Sequence, residues 1–435
     1  MRTNLVNPGA NELRYEIRAI VGLAKKIQGL GVPIVWENIG DPIAKGEEPP
    51  VWIREIVKRA ADDPKSYAYS PTPGLDATRA YIAKERNLEG GIQITPDDIL
   101  FYNGLGDAIS AIYGGLHPSA RVIGPNPAYP THSSAEAAHA GSPHFSYRLD
   151  PENGWAPDLE ELERTVAAHP DIAGILIINP DNPTGFVYPE ETLRRMVDIA
   201  RRYNLFMISD EIYSNLVYAG REMKKLASII GEVPGIAMRG ISKEFPWPGG
   251  RCGWVEFYNR DKDENFDRYA RSLMDAKMLE VCSTTLPQKV LPEVMSDPRY
   301  MPYLAERTAA YQRKSALAKK ILSEIPEVIV HTAGGAFYMT VVFRDGVLND
   351  KQSLEMSPEA AAIIAPHLID AKLDQCFTYQ LLAATGICTV ALSSGFNADR
   401  HGFRFTLLER DEQKFEQTVR TIAGAIRKYI DSATR

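Results

Sequence analysis

Cysteine is scarce in this 435-residue sequence: four are present, and no two of them form a Cys-x-x-Cys pair. That spacing offers neither a disulfide framework nor a zinc site, and it fits a reducing compartment. No apolar run approaches the ~20 residues that a membrane span needs. Residues 1–4 also lack the apolar core of a signal peptide. We therefore expect a cytoplasmic protein without a membrane-spanning segment.

Positive charge is not in excess either. The formal net charge is −7, which leaves no basic footprint for nucleic acid. The eight histidines, among them His132 and His144, show no metal-ligand spacing. We interpret them as hydrogen-bonded or exposed side chains and expect no metal. We therefore expect neither nucleic acid nor a metal ion as a partner of this protein.

The length of the chain exceeds what one hydrophobic core normally serves, so we expect two domains. From about residue 45 to residue 300, apolar strand patterns alternate with longer helical patterns. The clearest strand patterns are Ile99–Tyr102, Arg121–Ile123, Ile172–Ile178, Leu205–Ile208 and Gly235–Met238. This alternation predicts an α/β fold with a mostly parallel sheet that helices cover on both faces.

The two ends of the chain predict a second, smaller domain. Apolar residues recur at helical spacing near both termini: Leu13, Ile17, Val21 and Ala24 after a cap at Asn11, and Phe415, Val419, Ile422 and Ile426. We place the large domain at residues 45–315. We build an α+β small domain from residues 1–44 and 316–435, in which residues 353–374 give no clear pattern.

Three polar side chains follow predicted strands at their carboxyl ends, where ligands gather in α/β sheets. Asn182, Asp210 and Lys243 each follow one of the last three strand patterns. A lysine amine forms Schiff bases with aldehydes, and a carboxylate holds a pyridine nitrogen protonated. Arg251, eight residues after the lysine, is suited to clamp a phosphate. Together these demands describe a pyridoxal phosphate site.

The segments around these residues form a recognisable set. They are residues 179–185 (Asn-Pro-Asp-Asn-Pro-Thr-Gly), residues 210–213 (Asp-Glu-Ile-Tyr), and Ser242-Lys243 with Arg251. The set resembles the class I/II aminotransferases, which are pyridoxal phosphate enzymes of fold type I, and the resemblance runs from Tyr15 to the final helix. It implies a large domain with a mostly parallel seven-stranded sheet and a smaller α+β domain. It also implies transfer of an amino group between an L-amino acid and a 2-oxo acid by a ping-pong mechanism.

The resemblance assigns roles at the ring of the cofactor. Lys243 would form the Schiff base with it and then shuttle a proton between substrate and cofactor. Asp210 would pair with the ring nitrogen and keep it protonated, so that the ring accepts electrons. Tyr213 and Asn182 would hydrogen-bond the 3′ oxygen. Tyr129, within Pro-Ala-Tyr-Pro, would stack on the ring, although packing in the core is the alternative for a lone tyrosine.

The resemblance also assigns roles at the phosphate. A turn formed by Gly104, Leu105 and Gly106 at the start of a helix would cradle it through backbone N–H groups. Arg251 would contact the phosphate, with Ser242 beside it. A dinucleotide-binding turn is the competing interpretation of the two glycines, but an isoleucine stands where the third glycine is needed.

Two further positions imply a shared active site and a substrate clamp. Tyr69 resembles the tyrosine that reaches the phosphate of the neighbouring subunit, which implies a homodimer. Arg404 resembles the arginine that grips the substrate carboxylate through two parallel hydrogen bonds. Gly40 and Asn182 would contact the same substrate.

One position departs from the broader family pattern. Gly240 stands where many members carry a serine or threonine that adds a phosphate contact. Together with Tyr15 and Arg18, in Tyr-x-Ile-Arg, it resembles the bacterial alanine (glutamate–pyruvate) aminotransferases. In that subgroup the N-terminal tyrosine and arginine close over the substrate. Arg18 would then meet a second carboxylate, such as that of glutamate, and a solvated helix-face charge is an equally open interpretation.

The substrates implied are alanine/pyruvate and glutamate/2-oxoglutarate. Aminotransferases for aspartate, aromatic or branched-chain amino acids share the core motifs, as do carbon–sulfur β-lyases that use the same cofactor. These alternatives stay open. A ligand-sensing domain of a transcription regulator is disfavoured, because only about 40 residues precede the first cofactor-site motif, too few for a helix-turn-helix domain.

Overall fold

The computed structural model of the chain describes residues 5–13 and 16–433. Its strands are β1 (Val35–Trp36), β2 (Ile99–Tyr102), β3 (Arg121–Asn126), β4 (Ser146–Asp150), β5 (Ala156–Pro157), β6 (Ile172–Ile178), β7 (Phe206–Asp210), β8 (Gly235–Gly240), β9 (Gly253–Tyr258), β10 (Val328–Val330), β11 (Tyr338–Phe343), β12 (Ile387–Cys388), β13 (Val390–Ala391) and β14 (Gly402–Thr406). Its α-helices are α1 (Glu16–Gln28), α2 (Val51–Ala61), α3 (Asp76–Leu88), α4 (Leu105–Gly114), α5 (Pro130–Ala140), α6 (Leu159–Ala168), α7 (Glu190–Arg202), α8 (Leu226–Ile229), α9 (Ile241–Glu244), α10 (Glu264–Glu280), α11 (Thr285–Ser296), α12 (Tyr300–Leu322), α13 (Pro358–Leu368), α14 (Leu373–Thr385), α15 (Leu392–Gly395) and α16 (Glu412–Ser432). Within these residues, none of the helices has the length and apolar character to cross a membrane.

The larger sheet has eight strands in the order β2-β9-β8-β7-β6-β3-β4-β5. Strands β8, β7, β6, β3 and β4 run parallel, whereas β9 is antiparallel to both of its neighbours. The predicted α/β fold with a mostly parallel sheet is confirmed. The count is eight instead of the predicted seven because the two-residue strand β5 pairs with β4 at the edge. Two residues are too few to leave a periodic pattern in the sequence.

Both faces of this sheet are covered, as continuous apolar strands require. In β6, Ile175 and Ile177 belong to one apolar cluster, while Leu176 and Ile178 belong to another. Because successive side chains of a strand point to opposite faces, the two clusters lie on the two sides of the sheet.

The second sheet is antiparallel, in the order β10-β11-β14-β13, and β1 pairs with β12 in a separate two-stranded ladder. Within the four-stranded sheet, Tyr338 of β11 lies opposite Thr406 of β14, and Thr340 lies opposite Arg404. The predicted final helix is α16, and its predicted apolar face is buried. Helix α12 runs without a break through residues 315 and 316, and the domain boundary placed there stays a prediction.

The N-terminal helix begins later than predicted. Pro8–Glu12 forms a 3₁₀ helix, and the side chain of Asn7 caps it by accepting a backbone N–H at 2.9 Å. Leu13, predicted on the buried face, is 64% exposed, and α1 follows it. The prediction of a cap at Asn11 is wrong because the fixed φ of Pro8 starts a separate turn earlier in the chain.

Helix α12 connects the two sheets. The hydroxyl of Tyr300, at its start, donates to the carboxylate of Glu244 at 3.0 Å. Further along, Nζ of Lys314 donates to the carbonyl of Leu407 at 2.9 Å. Glu244 ends α9, which follows β8, and Leu407 directly follows β14. The helix therefore positions the end of the small sheet relative to the carboxyl edge of the large sheet.

Candidate active site

The carboxyl ends of β6, β7 and β8 bring three predicted residues to one edge of the large sheet. In the parallel register, Ile178 lies beside Asp210, and Asp210 lies beside Met238. Asn182 follows β6, and Lys243 follows β8 within α9. Asn182 and Asp210 are buried, while Lys243 is half-buried. The convergence expected from the strand ends is therefore present.

Asp210 lies at the end of a buried chain of hydrogen bonds. Its Oδ2 is 3.1 Å from Nε2 of His132, whose Nδ1 is 3.1 Å from the hydroxyl of Tyr113. A carboxylate oxygen only accepts, so Nε2 carries the proton that faces Asp210. Nδ1 is then placed to accept the hydroxyl of Tyr113, a phenol whose pKa burial raises well above its ordinary value. The other oxygen, Oδ1, accepts the N–H of Ile212 at 3.1 Å, and a carboxylate has lone pairs for a further donor.

His132 has no role at the site in the interpretation of the histidines given above. The imidazole is buried, and its ring lies 6.3 Å from the ring of Tyr129. His132 stands three residues after Tyr129 in the first turn of α5, and 78 positions before Asp210. Its place beside the predicted stacking tyrosine is the signal that could have drawn attention to it.

The amine of Lys243 contacts the loop predicted to bind the substrate. Its Nζ donates to the carbonyl of Gly40 at 2.6 Å and lies 5.7 Å from the ring centroid of Phe337. A Cβ at position 40 would overlap the hydroxyl of Tyr338. Glycine therefore lets this loop approach the site closely enough to meet the lysine.

Groups that the sequence does not single out hold the backbone beside Lys243. The buried carboxylate of Glu244 accepts the hydroxyl of Tyr300 at 3.0 Å and the side-chain amide of Asn215 at 2.9 Å. Nη1 of Arg307 donates to the carbonyl of Lys243 at 3.0 Å and to that of Glu244 at 2.6 Å. A buried polar network with its partners in place rigidifies the local structure, so these bonds fix the lysine.

The predicted phosphate turn has the shape of an anion site. Gly104 has φ +86° and ψ 165°, a region that is essentially restricted to glycine. Helix α4 begins at Leu105, and the first N–H groups of a helix have no partner inside it. Arg251 lies against the turn: Nη2 donates to the carbonyl of Asn103 at 3.1 Å, and a Cβ on Gly104 would be 2.5 Å from the same nitrogen.

Gly240 lacks a side chain for a spatial reason. It lies opposite Gly253 of β9. A Cβ at position 240 would be 2.9 Å from the carbonyl oxygen of Cys252 and 3.2 Å from Cδ1 of Ile212. The two strands and the neighbouring side chain thus leave no room for the hydroxyl that is common at this position in the family that the sequence resembles.

Arg404 is buried, and several groups orient its guanidinium. Nη1 donates to Oδ1 of Asn182 at 3.2 Å, and Nη2 donates to the carbonyl of Asn38. The guanidinium carbon lies 4.4 Å from the ring centroid of Tyr338 and 5.0 Å from that of Phe396. Aromatic rings attract the face of a desolvated guanidinium, whose N–H groups donate hydrogen bonds in its own plane.

Tyr213 is buried with its hydroxyl 3.1 Å from the hydroxyl of Tyr338. Burial, and then the neighbouring Tyr338, raise the pKa of Tyr213 well above its ordinary value. The phenol therefore keeps its proton at neutral pH and can donate it. Sequence reasoning did not single out Tyr338, which touches both Tyr213 and Arg404.

The remaining predicted residues differ in their exposure. Tyr69 is 84% exposed, and Arg18 is exposed on α1. Tyr15 lies outside the described residues. Ser242 is half-buried beside Lys243, and Gly106 is exposed in the first turn of α4.

The donor set fits pyridoxal phosphate. Lys243 offers an amine for its aldehyde, and Asp210 offers a buried carboxylate for its ring nitrogen. The glycine-only backbone of Gly104 beside Arg251 leaves a cationic cradle, open at a helix N-terminus, for its phosphate. Among residues 5–13 and 16–433, no group of three or more His, Cys, Asp or Glu side chains is placed to hold a metal ion.

Comparisons with known proteins agree with this geometry. The family described as aminotransferase class I and II matches residues 37–421. An uncharacterized aminotransferase of Methanocaldococcus jannaschii is 52% identical over 431 residues, which cover 99% of this chain and 100% of that protein. The glutamate–pyruvate aminotransferase of Escherichia coli is 28% identical over 328 residues, covering 75% of this chain and 79% of that one. The solved alanine aminotransferase of Pyrococcus furiosus has a TM-score of 0.82 and 26% identity, covering 100% of both chains.

The family match spans most of the chain and includes residues 179–185, 210–213 and 242–251. The predicted fold type and the predicted cofactor are both confirmed by these relationships. The chain therefore belongs to the class I and II aminotransferases, which are pyridoxal phosphate-dependent enzymes of fold type I.

Proposed function

We propose that this aminotransferase exchanges the amino group between alanine/pyruvate and glutamate/2-oxoglutarate by a ping-pong mechanism. The sequence pattern at Tyr15, Arg18 and Gly240 supports this choice. Two relatives, from Escherichia coli and Pyrococcus furiosus, carry the names glutamate–pyruvate aminotransferase and alanine aminotransferase, which support it further.

One set of contacts carries the substrate proposal: a hydrogen-bonded link from α1 to Arg404. Nδ2 of Asn38 donates to the carbonyl of Ile17 at 3.2 Å, and the carbonyl of Asn38 accepts from Arg404. Ile17, the residue before Arg18, is therefore two hydrogen bonds away from Arg404, the proposed substrate clamp. In our proposal, Arg404 binds the α-carboxylate of each substrate, and Arg18 binds the second carboxylate of glutamate.

Pyridoxal phosphate supplies an aldehyde for the amino group and a ring that accepts electrons from the substrate carbon. Lys243, in our proposal, takes the proton from that carbon and delivers it to the cofactor. Asp210, backed by His132, keeps a proton on the ring nitrogen because a buried carboxylate stabilises a neighbouring positive charge. Burial of Asp210 and Arg404 helps to keep water out of the reaction.

The remaining proposed contacts hold the cofactor in place. For the phosphate we propose Gly104, Leu105, Gly106, Ser242 and Arg251. For the ring we propose that Tyr129 stacks on its face, while Asn182 and Tyr213 donate to its 3′ oxygen.

We further propose a homodimer with a shared site. An exposed apolar surface consists of Tyr67, Tyr69, Met278, Leu279 and Val281. It adjoins the phosphate turn, because Nδ2 of Asn103 donates to the carboxylate of Glu280 at 2.6 Å. Two hydrogen bonds hold its segments together: Oγ1 of Thr285 donates to Ala68 at 2.7 Å, and Oγ of Ser70 donates to Ser283 at 3.2 Å. Contiguous exposed apolar surface of this kind marks an association site. In our proposal Tyr69 contacts the phosphate held by the partner, and sedimentation as a monomer would contradict this. The cytoplasmic location stays a prediction.

Half-reactions test the substrates. The cofactor-loaded protein is mixed with single amino acids, and conversion of its visible absorbance to that of the amine form of the cofactor is followed. We expect alanine and glutamate to convert it faster than aspartate, tyrosine or leucine. If both alanine and glutamate fail, the substrate proposal is wrong.

A variant separates the two substrates. Arg18→Ala should raise the KM for glutamate about tenfold or more, the value of one hydrogen bond between charged groups. The KM for alanine should stay within about twofold, because alanine has no second carboxylate. Lys25→Ala, which removes an exposed cation two turns further along α1, is the matched control. An equal effect of Arg18→Ala on both substrates would remove Arg18 from this role.

A further inference from the structure

Tyr338 lies where the cofactor side and the substrate side of the site meet. It is the first residue of β11, and it is 2% exposed. In the antiparallel register with β14 it lies opposite Thr406, which makes Arg404 its diagonal neighbour on the same face of the sheet. The ring and the hydroxyl of Tyr338 therefore reach different groups.

The ring of Tyr338 orients the proposed substrate clamp. Its centroid is 4.4 Å from the guanidinium carbon of Arg404. The carbonyl of Asn38 and the side-chain Oδ1 of Asn182 accept hydrogen bonds from the same guanidinium. An aromatic face fixes the plane of a guanidinium, and the plane decides whether both of its N–H groups meet a carboxylate.

The hydroxyl of Tyr338 faces the cofactor side of the site, where it contacts Tyr213. It is 3.1 Å from the hydroxyl of Tyr213, and each phenol has one proton to donate. When Tyr213 donates its proton to the 3′ oxygen of the cofactor, the bond between the two phenols can form only with Tyr338 as donor. A hydroxyl that accepts a hydrogen bond becomes a stronger donor itself. The hydroxyl of Tyr338 therefore strengthens the bond that Tyr213 makes to the cofactor.

We propose that Tyr338 is a positioning residue that acts on the cofactor through Tyr213 and on the substrate carboxylate through Arg404. The inference rests on the roles proposed above for Tyr213 and Arg404. It adds that one side chain serves both, through separate parts of its structure. Gly40 belongs to the same arrangement, because only a glycine there leaves room for the Tyr338 hydroxyl.

The two parts of the side chain can be separated by substitution. Tyr338→Phe removes the hydroxyl and keeps the ring. The measurement is a pH titration of the visible absorbance of the cofactor-loaded protein. Its midpoint reports how basic the lysine nitrogen joined to the cofactor is. That nitrogen becomes more basic when more negative charge stays on the 3′ oxygen. We expect the midpoint to rise by roughly 0.1–0.7 pH unit, since cooperative strengthening is about 10–30% of a charge-assisted bond. The KM values for amino acids should stay within about twofold.

A second variant tests the ring. Tyr338→Leu should raise the midpoint by a similar amount and should also raise the KM of every amino acid about tenfold or more, because Arg404 loses its aromatic partner. A wild-type KM in a folded Tyr338→Leu protein would overturn the role of the ring.

The chain offers a matched control. Tyr188 and Tyr147 form another buried pair of phenols, with hydroxyls 3.4 Å apart, and Tyr147 donates to the carbonyl of Leu176 at 2.9 Å. Tyr188→Phe deletes one hydroxyl of this pair, whose hydrogen bond to Leu176 ends at a backbone carbonyl and not at the cofactor. It should leave the midpoint unchanged.

Tyr213→Phe distinguishes the two levels of the proposal. It should raise the midpoint by about one to two pH units, the value of a whole charge-assisted bond. If Tyr213→Phe shifts the midpoint and Tyr338→Phe leaves it at the wild-type value, the inference about Tyr338 is overturned while the role of Tyr213 stands. If neither variant shifts it, the role proposed for Tyr213 is overturned as well. A shift in Tyr188→Phe equal to that in Tyr338→Phe would also overturn the inference, because any lost buried hydroxyl would then have the same effect.

Discussion

Replacing Gly104 by alanine should weaken cofactor binding through two effects that can be sized from the structure. The backbone at Gly104, with φ +86° and ψ 165°, lies where a side chain costs roughly 1–3 kcal/mol. The added Cβ would also lie 2.5 Å from Nη2 of Arg251 and 2.8 Å from its guanidinium carbon. The guanidinium must move, and it then leaves the carbonyl of Asn103 and its place beside the phosphate turn. A lost charge-assisted hydrogen bond is worth about 1.5–3 kcal/mol.

The assay measures the two effects separately. Urea unfolding of the cofactor-free variant reports the backbone strain, and titration of that protein with pyridoxal phosphate, followed by tryptophan fluorescence, reports the dissociation constant. We expect the dissociation constant to rise about tenfold to a hundredfold. Gly114→Ala is the control, because it adds the same methyl group at the other end of α4, where no described atom beyond the adjoining helix backbone lies within 4 Å. Wild-type affinity in Gly104→Ala would refute the reasoning.

Three further changes have definite expected outcomes. Lys243→Ala should abolish the absorbance of the lysine–cofactor Schiff base while circular dichroism stays that of the wild type; cofactor that borohydride fixes to the protein would mean that another lysine reacts. Gly240→Ser should cost about 1–3 kcal/mol in urea unfolding, because the side chain overpacks against Cys252; tighter cofactor binding at unchanged stability would contradict this. Burial raises the pKa of Asp181 to about 7. Its protonated form therefore favours folding below the ordinary pKa, and this contribution, up to about 4 kcal/mol, is lost as the pH rises towards about pH 7. Asp181→Asn should remove that pH dependence, and parallel stability curves for the two proteins would show that it does not arise at Asp181.

The local sequence predicted the elements that consist of long apolar runs. Strands such as Ile172–Ile178 are buried on both faces, so their composition alone marks them. Shorter or interrupted elements leave no such mark. The unassigned segment at residues 353–374 contains Pro358–Leu368, a helix with an internal proline at Pro366 and only two buried residues.

The residues of the site divide in the same way, into those that a local sequence pattern marks and those that it does not. Lys243 and Asp210 could be predicted because each lies at or just after the carboxyl end of a strand that can be recognised. His132, Glu244 and Tyr338 could not, because each acts through partners that are distant in the chain: Tyr338 and Tyr213 are 125 positions apart. Pairings of this kind depend on how the strands are ordered and on which helix crosses between the sheets, and no local spacing encodes either.

The close approach of β8 and β9 at Gly240 has a consequence for how firmly the cofactor stays bound. Without a hydroxyl at this position, a larger share of the phosphate affinity falls to the charge of Arg251 and to the helix end at Leu105. Arg251 is exposed, and dissolved ions screen the attraction between exposed charges. Raising the ionic strength should therefore release pyridoxal phosphate from this protein more readily than from a relative that carries serine at the same position.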